Sequence, residues 1–388
     1  MMESETQAGQ PGGQADKAKA GQAGQAGQAD KAKAGQAGQA APEMRALLPE
    51  EIAAFLRDTG EPAYRAGQIF TWLQRDAAGS YDAMSNIGLA LRKKLAADCP
   101  LGRLALQRRQ ESADGTVKYL FALDDGLRIE SVLMRQTEES GHIRHTVCLS
   151  SQAGCGMGCS FCATANLGLQ RNLSTGEIVG QALEIAATEQ ITIHNAVYMG
   201  MGEPLLNEEA VKKSILILNH PQGQNIGIRR ITVSTCGLPE GIRRLADWGR
   251  DVVLAVSLHA ADDETRSRLM PVNRSHPLHE LLSACRDYAT QTGRRITFEY
   301  MMVKGVNTGK GTAEKLAALL KGIPCNINLI PVNPGVHGLV APDKKEQDLF
   351  LQALRRTGLE AVARRARGRD IDGACGQLAG RAKLKQNL

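Results

Sequence analysis

The chain has 388 residues, 43% of them hydrophobic and only 4% aromatic, which is enough for two or three domains with mainly aliphatic cores. No run of about 18 apolar residues occurs, so a membrane-spanning helix is excluded. Nine unevenly spaced cysteines argue against a secreted disulfide framework and for a reducing cytoplasm with metal-binding or catalytic thiols. The N-terminal residues lack the apolar core of a signal peptide. The formal charge of +6 is modest, but residues 355–388 hold nine basic and three acidic side chains and so carry as much on their own. Clustered arginines suit a polyanion such as RNA, although a lone charge run is more often a solvated face.

In chain order, residues 1–42 are of low complexity. QADKAKAGQAGQA stands at 14–26 and again at 28–40, and such a composition cannot bury enough apolar surface to offset its ordering entropy, which predicts a disordered tail. Residues 44–99 read as a small helical domain. Pro49-Glu50-Glu51 opens one helix, Ala66 to Gln74 forms a second, and Ile87–Leu95 a third with Arg92, Lys93 and Lys94 as a basic edge. Residues 100–147 change to a period of two. Val117, Tyr119, Phe121 and Leu123 alternate, Asp124-Asp125-Gly126 turns the chain, and Leu127 and Ile129 resume, which predicts a β-hairpin. Glu130 falls on the opposite face, where it can point to solvent or into a site.

From 148 to 380 short apolar strands alternate with helices. A strand near Thr146–Ser150 is followed by Asn195–Met199, Arg230–Ser234, Val252–Ser257, Ile296–Met301 and Asn326–Ile330, with helices Thr175–Thr188, Glu208–Asn219, Leu278–Gln291 and Thr312–Leu320 between them. Ser174 and Glu177 form a capping box. Repeated βα units predict a parallel sheet curled into a full or partial barrel, whose chemistry sits at the C-terminal ends of the strands. Gly200–Pro204, Ser234-Thr235, Ser257-Leu258-His259 and Asn333 all fall there.

Cys155, Cys159 and Cys162 lie in Gly-Cys-Gly-Met-Gly-Cys-Ser-Phe-Cys, three thiols spaced C-x3-C-x2-C among small residues. Buried structural cysteines need no such glycines, and structural zinc needs a fourth ligand. A [4Fe–4S] cluster held by three cysteines leaves one iron open. An electron-transfer cluster protein is disfavoured by the missing fourth thiol.

With Gly200-Met201-Gly202-Glu203-Pro204 after a strand, this stretch resembles the radical S-adenosylmethionine (SAM) enzymes. That resemblance implies that SAM binds the open iron and that Gly202 and Glu203 receive its amino group. Two further cysteines narrow it. Cys148 lies seven residues before the motif, and Cys375 sits in Gly368–Leu378 after an arginine-rich run whose charge favours its thiolate. Together with Arg171-Asn172-Leu173, Met199–Leu206, Ser257-Leu258-His259, Met270-Pro271-Val272-Asn273 and Asn328–Pro334, these segments resemble the RlmN-type RNA methyltransferases from about residue 45 to 380.

The resemblance implies a partial (β/α)6 barrel with a helical RNA-binding accessory domain and a hairpin extension. It implies 2-methyladenosine formation in 23S ribosomal RNA and in tRNA, with two SAM molecules per turnover. Cys375 would be the methyl-accepting cysteine, Cys148 the thiol that resolves the RNA adduct through a transient disulfide, and Glu130 the proton acceptor. Gly202, Glu203, Ser234, Ser257, Leu258, His259 and Asn333 would surround SAM. A donor such as flavodoxin or ferredoxin would reduce the cluster, and the enzyme would act as a monomer. Two departures stand out: Gly373 where alanine is usual, and Cys236 where serine is common. The alternatives are a Cfr-type adenine-C8 enzyme and, from another class, a non-enzymatic RNA-binding metalloprotein.

Overall fold

In the computed structural model, residues 43–102, 104–333, 338–364 and 366–379 are described, so the repetitive segment 1–42 and the basic residues Arg381, Lys383 and Lys385 lie outside them. The helical region comprises α1 (Pro49–Asp58), α2 (Arg65–Gln74) and α3 (Leu89–Asp98). Proline at the first position of α1 lacks the N–H that a helix start leaves unpaired, and Glu51 accepts from Leu48 N at 2.7 Å. Ile52, Leu56, Ile69, Phe70, Leu73, Leu91 and Leu95 form the inner face. The expected basic edge is partly consumed within the fold. Arg92 donates to Asp82 O and Lys94 to Thr59 O, because helix ends and turns leave carbonyls that need donors; Lys93 remains exposed.

Strands β1 (Ala105–Glu111), β2 (Val117–Ala122), β3 (Arg128–Thr137) and β4 (Ile143–Cys148) form an antiparallel meander. The hairpin turn falls where Asp124-Asp125-Gly126 places it, with Gly126 at φ +83°. The meander runs directly into the barrel, since β4 pairs in parallel with β7. Between them β5 (Gln152–Gly154) and β6 (Leu169–Asn172) make a separate two-stranded ribbon, followed by α4 (Thr175–Glu189).

The remaining units alternate as β7 (Asn195–Tyr198), α5 (Glu208–Asn219), β8 (Ile231–Thr235), α6 (Pro239–Asp247), β9 (Val253–Ser257), α7 (Asp263–Leu269), α8 (Leu278–Thr292), β10 (Ile296–Met302), α9 (Thr312–Leu320), β11 (Cys325–Pro331), α10 (Lys344–Arg356) and β12 (Ala361–Ala363). The ten-stranded sheet runs β1-β2-β3-β4-β7-β8-β9-β10-β11-β12, parallel from β4 onward. Six βα units from β4 to α10 give the expected partial barrel, with β12 as a short added edge. Helix-covered parallel strands are buried on both faces, and Leu254, Ala255 and Val256 of β9 are each fully buried. Among the described residues no helix is long and apolar enough to cross a membrane.

The segment from Gly368 to Ala379 leaves the β12 edge and docks on the meander. Asp370 accepts from Ser112 Oγ (2.5 Å) and Ala113 N (3.2 Å), Gly368 N donates to Asp114 (2.9 Å), and Lys118 Nζ donates to Asp372 O (3.3 Å). Arg367 donates to Arg135 O and Arg369 to Asn333. Two of the clustered arginines are therefore fasteners of this segment.

Candidate active site

The three-cysteine loop is pinched between β5 and β6. Cys155 N donates to Gly168 O at 2.9 Å, and Ser160 N to Leu269 O at 2.9 Å. Gly154 has φ +78°, and a Cβ there would lie 1.9 Å from Gly168 O, so only glycine fits. Burial pushes the Cys155 thiol up to about 11 and that of Cys159 higher, with each neighbouring sulfur adding to the effect. The thiols are thus held protonated until a cation displaces the protons. Among the described residues no three His, Cys, Asp or Glu side chains group tightly enough for a single metal ion. A cluster, in which each thiolate meets a different iron, needs no such convergence, and three thiols in one loop fit it.

At the end of β7 a Cβ on Gly200 would lie 2.7 Å from Leu149 O, and one on Gly202 2.5 Å from Gln152 Cβ. The glycines let this turn press against β5. Glu203 is only 3% exposed, and its carboxylate accepts from Leu205 N (3.1 Å) and Cys236 N (2.7 Å). Among the described residues no Lys, Arg or His pairs with it, and burial raises its pKa. A ligand ammonium would supply the missing countercharge, which is how the residues present fit the amino group of SAM.

Ser234 lies within β8 near its C-terminal end, and Ser257 ends β9; both are half-buried, while Leu258 and His259 just beyond are buried. His259 has φ +59°, an uncommon backbone for a non-glycine residue. Its Nδ1 accepts from Met301 N at 3.0 Å, which leaves the proton on Nε2, and burial lowers its pKa to about 3. Its ring meets Phe161 of the cysteine loop edge to face, with centroids 4.8 Å apart. Asn333, after β11, donates from Nδ2 to Cys375 O (3.0 Å) and accepts from Arg369 Nε. It positions the Cys375 loop directly.

Cys375 is brought to the cysteine loop by its neighbours: Gly376 O accepts from Ala163 N (2.7 Å) and Leu378 O from Thr164 Oγ1 (2.6 Å). Cys148 is buried at the end of β4, its thiol is pushed up by burial and by the nearby Cys375 sulfur, and both are free thiols. The expected thiolate preference of Cys375 is reversed. Its side chain is exposed, yet the packed protein around it, Glu299 and Cys162 outweigh Arg364 and push the thiol up to about 11.

Glu130 is 2% exposed, so its carboxylate points inward. It pairs with Lys118 Nζ at 3.1 Å and accepts from Ala379 N at 2.7 Å. Sequence reasoning passed over Lys118, which stands between Val117 and Tyr119 on the face opposite the apolar alternation, where a lysine reads as solvent-facing. It also passed over Arg266, hidden in Asp-Glu-Thr-Arg-Ser-Arg-Leu, which reads as an exposed helix turn. Glu299, buried on β10 and bonded by Asn328 Nδ2 at 2.9 Å, was missed because no spacing motif marks a single carboxylate inside an apolar strand.

Three thiols in one loop at the mouth of an open parallel barrel, faced by a buried carboxylate that lacks a cation, define a radical SAM enzyme, whose cofactors are a [4Fe–4S] cluster and SAM. The radical SAM superfamily matches residues 149–316, and the ribosomal RNA large subunit methyltransferase N-terminal domain matches residues 43–101. A probable dual-specificity RNA methyltransferase RlmN of Heliobacterium modesticaldum is 48% identical over 88% of this chain and 90% of its own length. The dual-specificity RNA methyltransferase RlmN of Sorangium cellulosum is 43% identical over 86% of this chain and 94% of its own. The crystal structure of a radical SAM methyltransferase from Sphaerobacter thermophilus superposes with a TM-score of 0.83, at 46% identity over 88% of this chain and all of that one. The chain belongs to the RlmN family of radical SAM RNA methyltransferases.

Proposed function

We propose that this enzyme methylates C2 of adenine in 23S ribosomal RNA and in tRNA, using two SAM molecules per turnover. The observation that carries the reading is the meeting of Cys375, Cys148 and the cluster loop at one end of the barrel. The bound cofactors supply a methyl group and a 5′-deoxyadenosyl radical. Adenine C2 is electrophilic and has no lone pair, so direct methyl transfer to it is closed.

Cys375 Sγ accepts the methyl group as a thioether and gives one of its hydrogen atoms to the deoxyadenosyl radical; its methylene carbon then bonds to C2, and the adduct would return its unpaired electron to the oxidised cluster. Glu130, paired with Lys118 and hydrogen-bonded by the Ala379 N–H, takes the C2 proton. Cys148 attacks the Cys375 sulfur, forming a disulfide as the S–CH2 bond breaks, and the departing carbon takes up a proton to complete the methyl group of the released base. Gly202 and Glu203 hold the methionine amino group of SAM; Ser234, Ser257, Leu258, His259 and Asn333 line the rest of its site. The helical region at 44–99 contacts RNA phosphates while the base is turned into the barrel. A low-potential one-electron protein such as flavodoxin or ferredoxin serves as the donor.

Nucleoside mass spectrometry of ribosomal and transfer RNA, from cells with and without the protein, tests this. The expected product is 2-methyladenosine in both pools. 8-Methyladenosine in its place would assign the C8 chemistry instead.

A further inference from the structure

Arg266 is completely buried, yet among the described residues it forms no ion pair. Its guanidinium spends its donors on neutral oxygens: Nη2 on Cys236 O (2.7 Å) and Ser257 O (3.0 Å), Nε on Leu258 O (3.2 Å) and Nη1 on Asn273 Oδ1 (2.8 Å). Those backbone carbonyls belong to Cys236 just after β8, two residues from Ser234, and to Ser257 and Leu258 where β9 ends. Even the space is reserved, since a Cβ on Gly237 would lie 2.8 Å from Arg266 Nη2. Asn273 is anchored in turn on Asp263 and Ser267. The same short helix, α7, presents Leu269 O to Ser160 between two cluster cysteines.

A buried charge without a counter-ion is strongly destabilising unless something of opposite sign approaches. On the far side of Cys236 stands the mirror case, since Cys236 N donates to the unpaired Glu203 carboxylate while Cys236 O accepts from Arg266. One residue therefore separates an orphan anion from an orphan cation. Cys236, whose carbonyl Arg266 holds, packs with Leu269 and Met270 against Cys159 of the cluster loop. A cluster with its thiolates carries net negative charge that grows on reduction, so it answers the orphan cation as a ligand ammonium answers Glu203.

We infer that Arg266 is a positioning residue that clamps the β8 and β9 loops into a SAM-binding shape and sets a permanent positive charge behind the cluster, making it easier to reduce. This rests on the reading that Glu203, Ser257 and Leu258 surround SAM. The test uses the full chain reconstituted with its cluster, with R266M, R266K and E203Q compared for SAM affinity by calorimetry and for midpoint potential by EPR redox titration.

R266M is expected to bind SAM roughly tenfold or more weakly, the scale on which outer-shell partners act, and to have a lower potential. R266K, which keeps the charge but not the fork of donors, should restore the potential and only part of the affinity. Wild-type affinity and potential in R266M would overturn the proposal, as would an equally lowered potential in R266K and R266M. If R266M does not fold, N273A decides: it keeps the charge and removes its anchor, so weaker SAM binding at unchanged potential supports the clamp, and unchanged binding overturns it. E203Q separates the two levels, because normal SAM affinity in that variant would sink the site reading itself, not the role of Arg266 alone.

Discussion

At the residue scale the site depends on two thiols that are hard to charge. Cys148→Ala should leave enzyme covalently joined to RNA, because the sulfur that releases the base is gone; denaturing gels that show only free RNA would contradict the assignment. Cys375, with its thiol pushed up to about 11, gains thiolate about tenfold per pH unit below that value. Its alkylation by iodoacetamide in cluster-free protein should therefore keep rising from pH 7 to 10, and a plateau by pH 8 would show a lower pKa. Which residues gather at the candidate site was legible wherever spacing or glycine neighbours set them apart, as at Cys155, Cys159, Cys162 and Glu203. The charge state of Cys375 was not, because it depends on Glu299 and on packing that only the folded chain brings near. Arg266 was invisible for a related reason: nothing in a helical Arg-Ser-Arg tells which arginine turns inward.

At the scale of elements, periodicity located the barrel strands β4 and β7 to β11 and the helices α4, α5, α8 and α9 but not α6, α7 or α10, and the Ser174–Glu177 capping box forms as read, with Glu177 N donating to Ser174 Oγ at 3.0 Å. The edges β1 and β12 escaped notice. β1 is polar and largely exposed, and β12 has three residues, so neither carries an apolar alternation long enough to read. The junction between the helical region and α4 holds one unfavourable group. Glu43 sits against Gly102 and Gly176, accepts from Ser174 Oγ at 3.1 Å, and leaves Oε1 without a hydrogen-bond partner. Burial, with Glu177 and Asp124 adding to it, raises its pKa to about 7. A carboxyl whose folded pKa lies above its unfolded value stabilises the fold at low pH and loses that contribution as pH rises from about 4.5 to about 7. Glu43→Gln should flatten the melting temperature across that window and gain on the order of 1–2 kcal/mol at pH 8 after solvent screening. Parallel pH–melting curves for the two proteins would refute this.

At the scale of the whole molecule, the meander, the barrel and the Cys375 segment form one continuous wall around the site. Asp370→Ala removes the fastener on Ser112 and Ala113. Amide exchange over residues 366–379 should quicken, and RNA methylation should fall while reductive SAM cleavage persists; equal loss of both activities would point to damage in the barrel instead. No periodicity marked this docking, since the contacts join polar groups more than 250 residues apart in the chain. That separation has a consequence for biogenesis. The three-cysteine loop and the barrel strands leave the ribosome well before the segment that bears Cys375, the proposed methyl carrier. A nascent chain therefore presents its cluster-binding thiols while Cys375, proposed to receive the radical chemistry, is still being synthesised, and loading iron only after translation ends would keep the two in order.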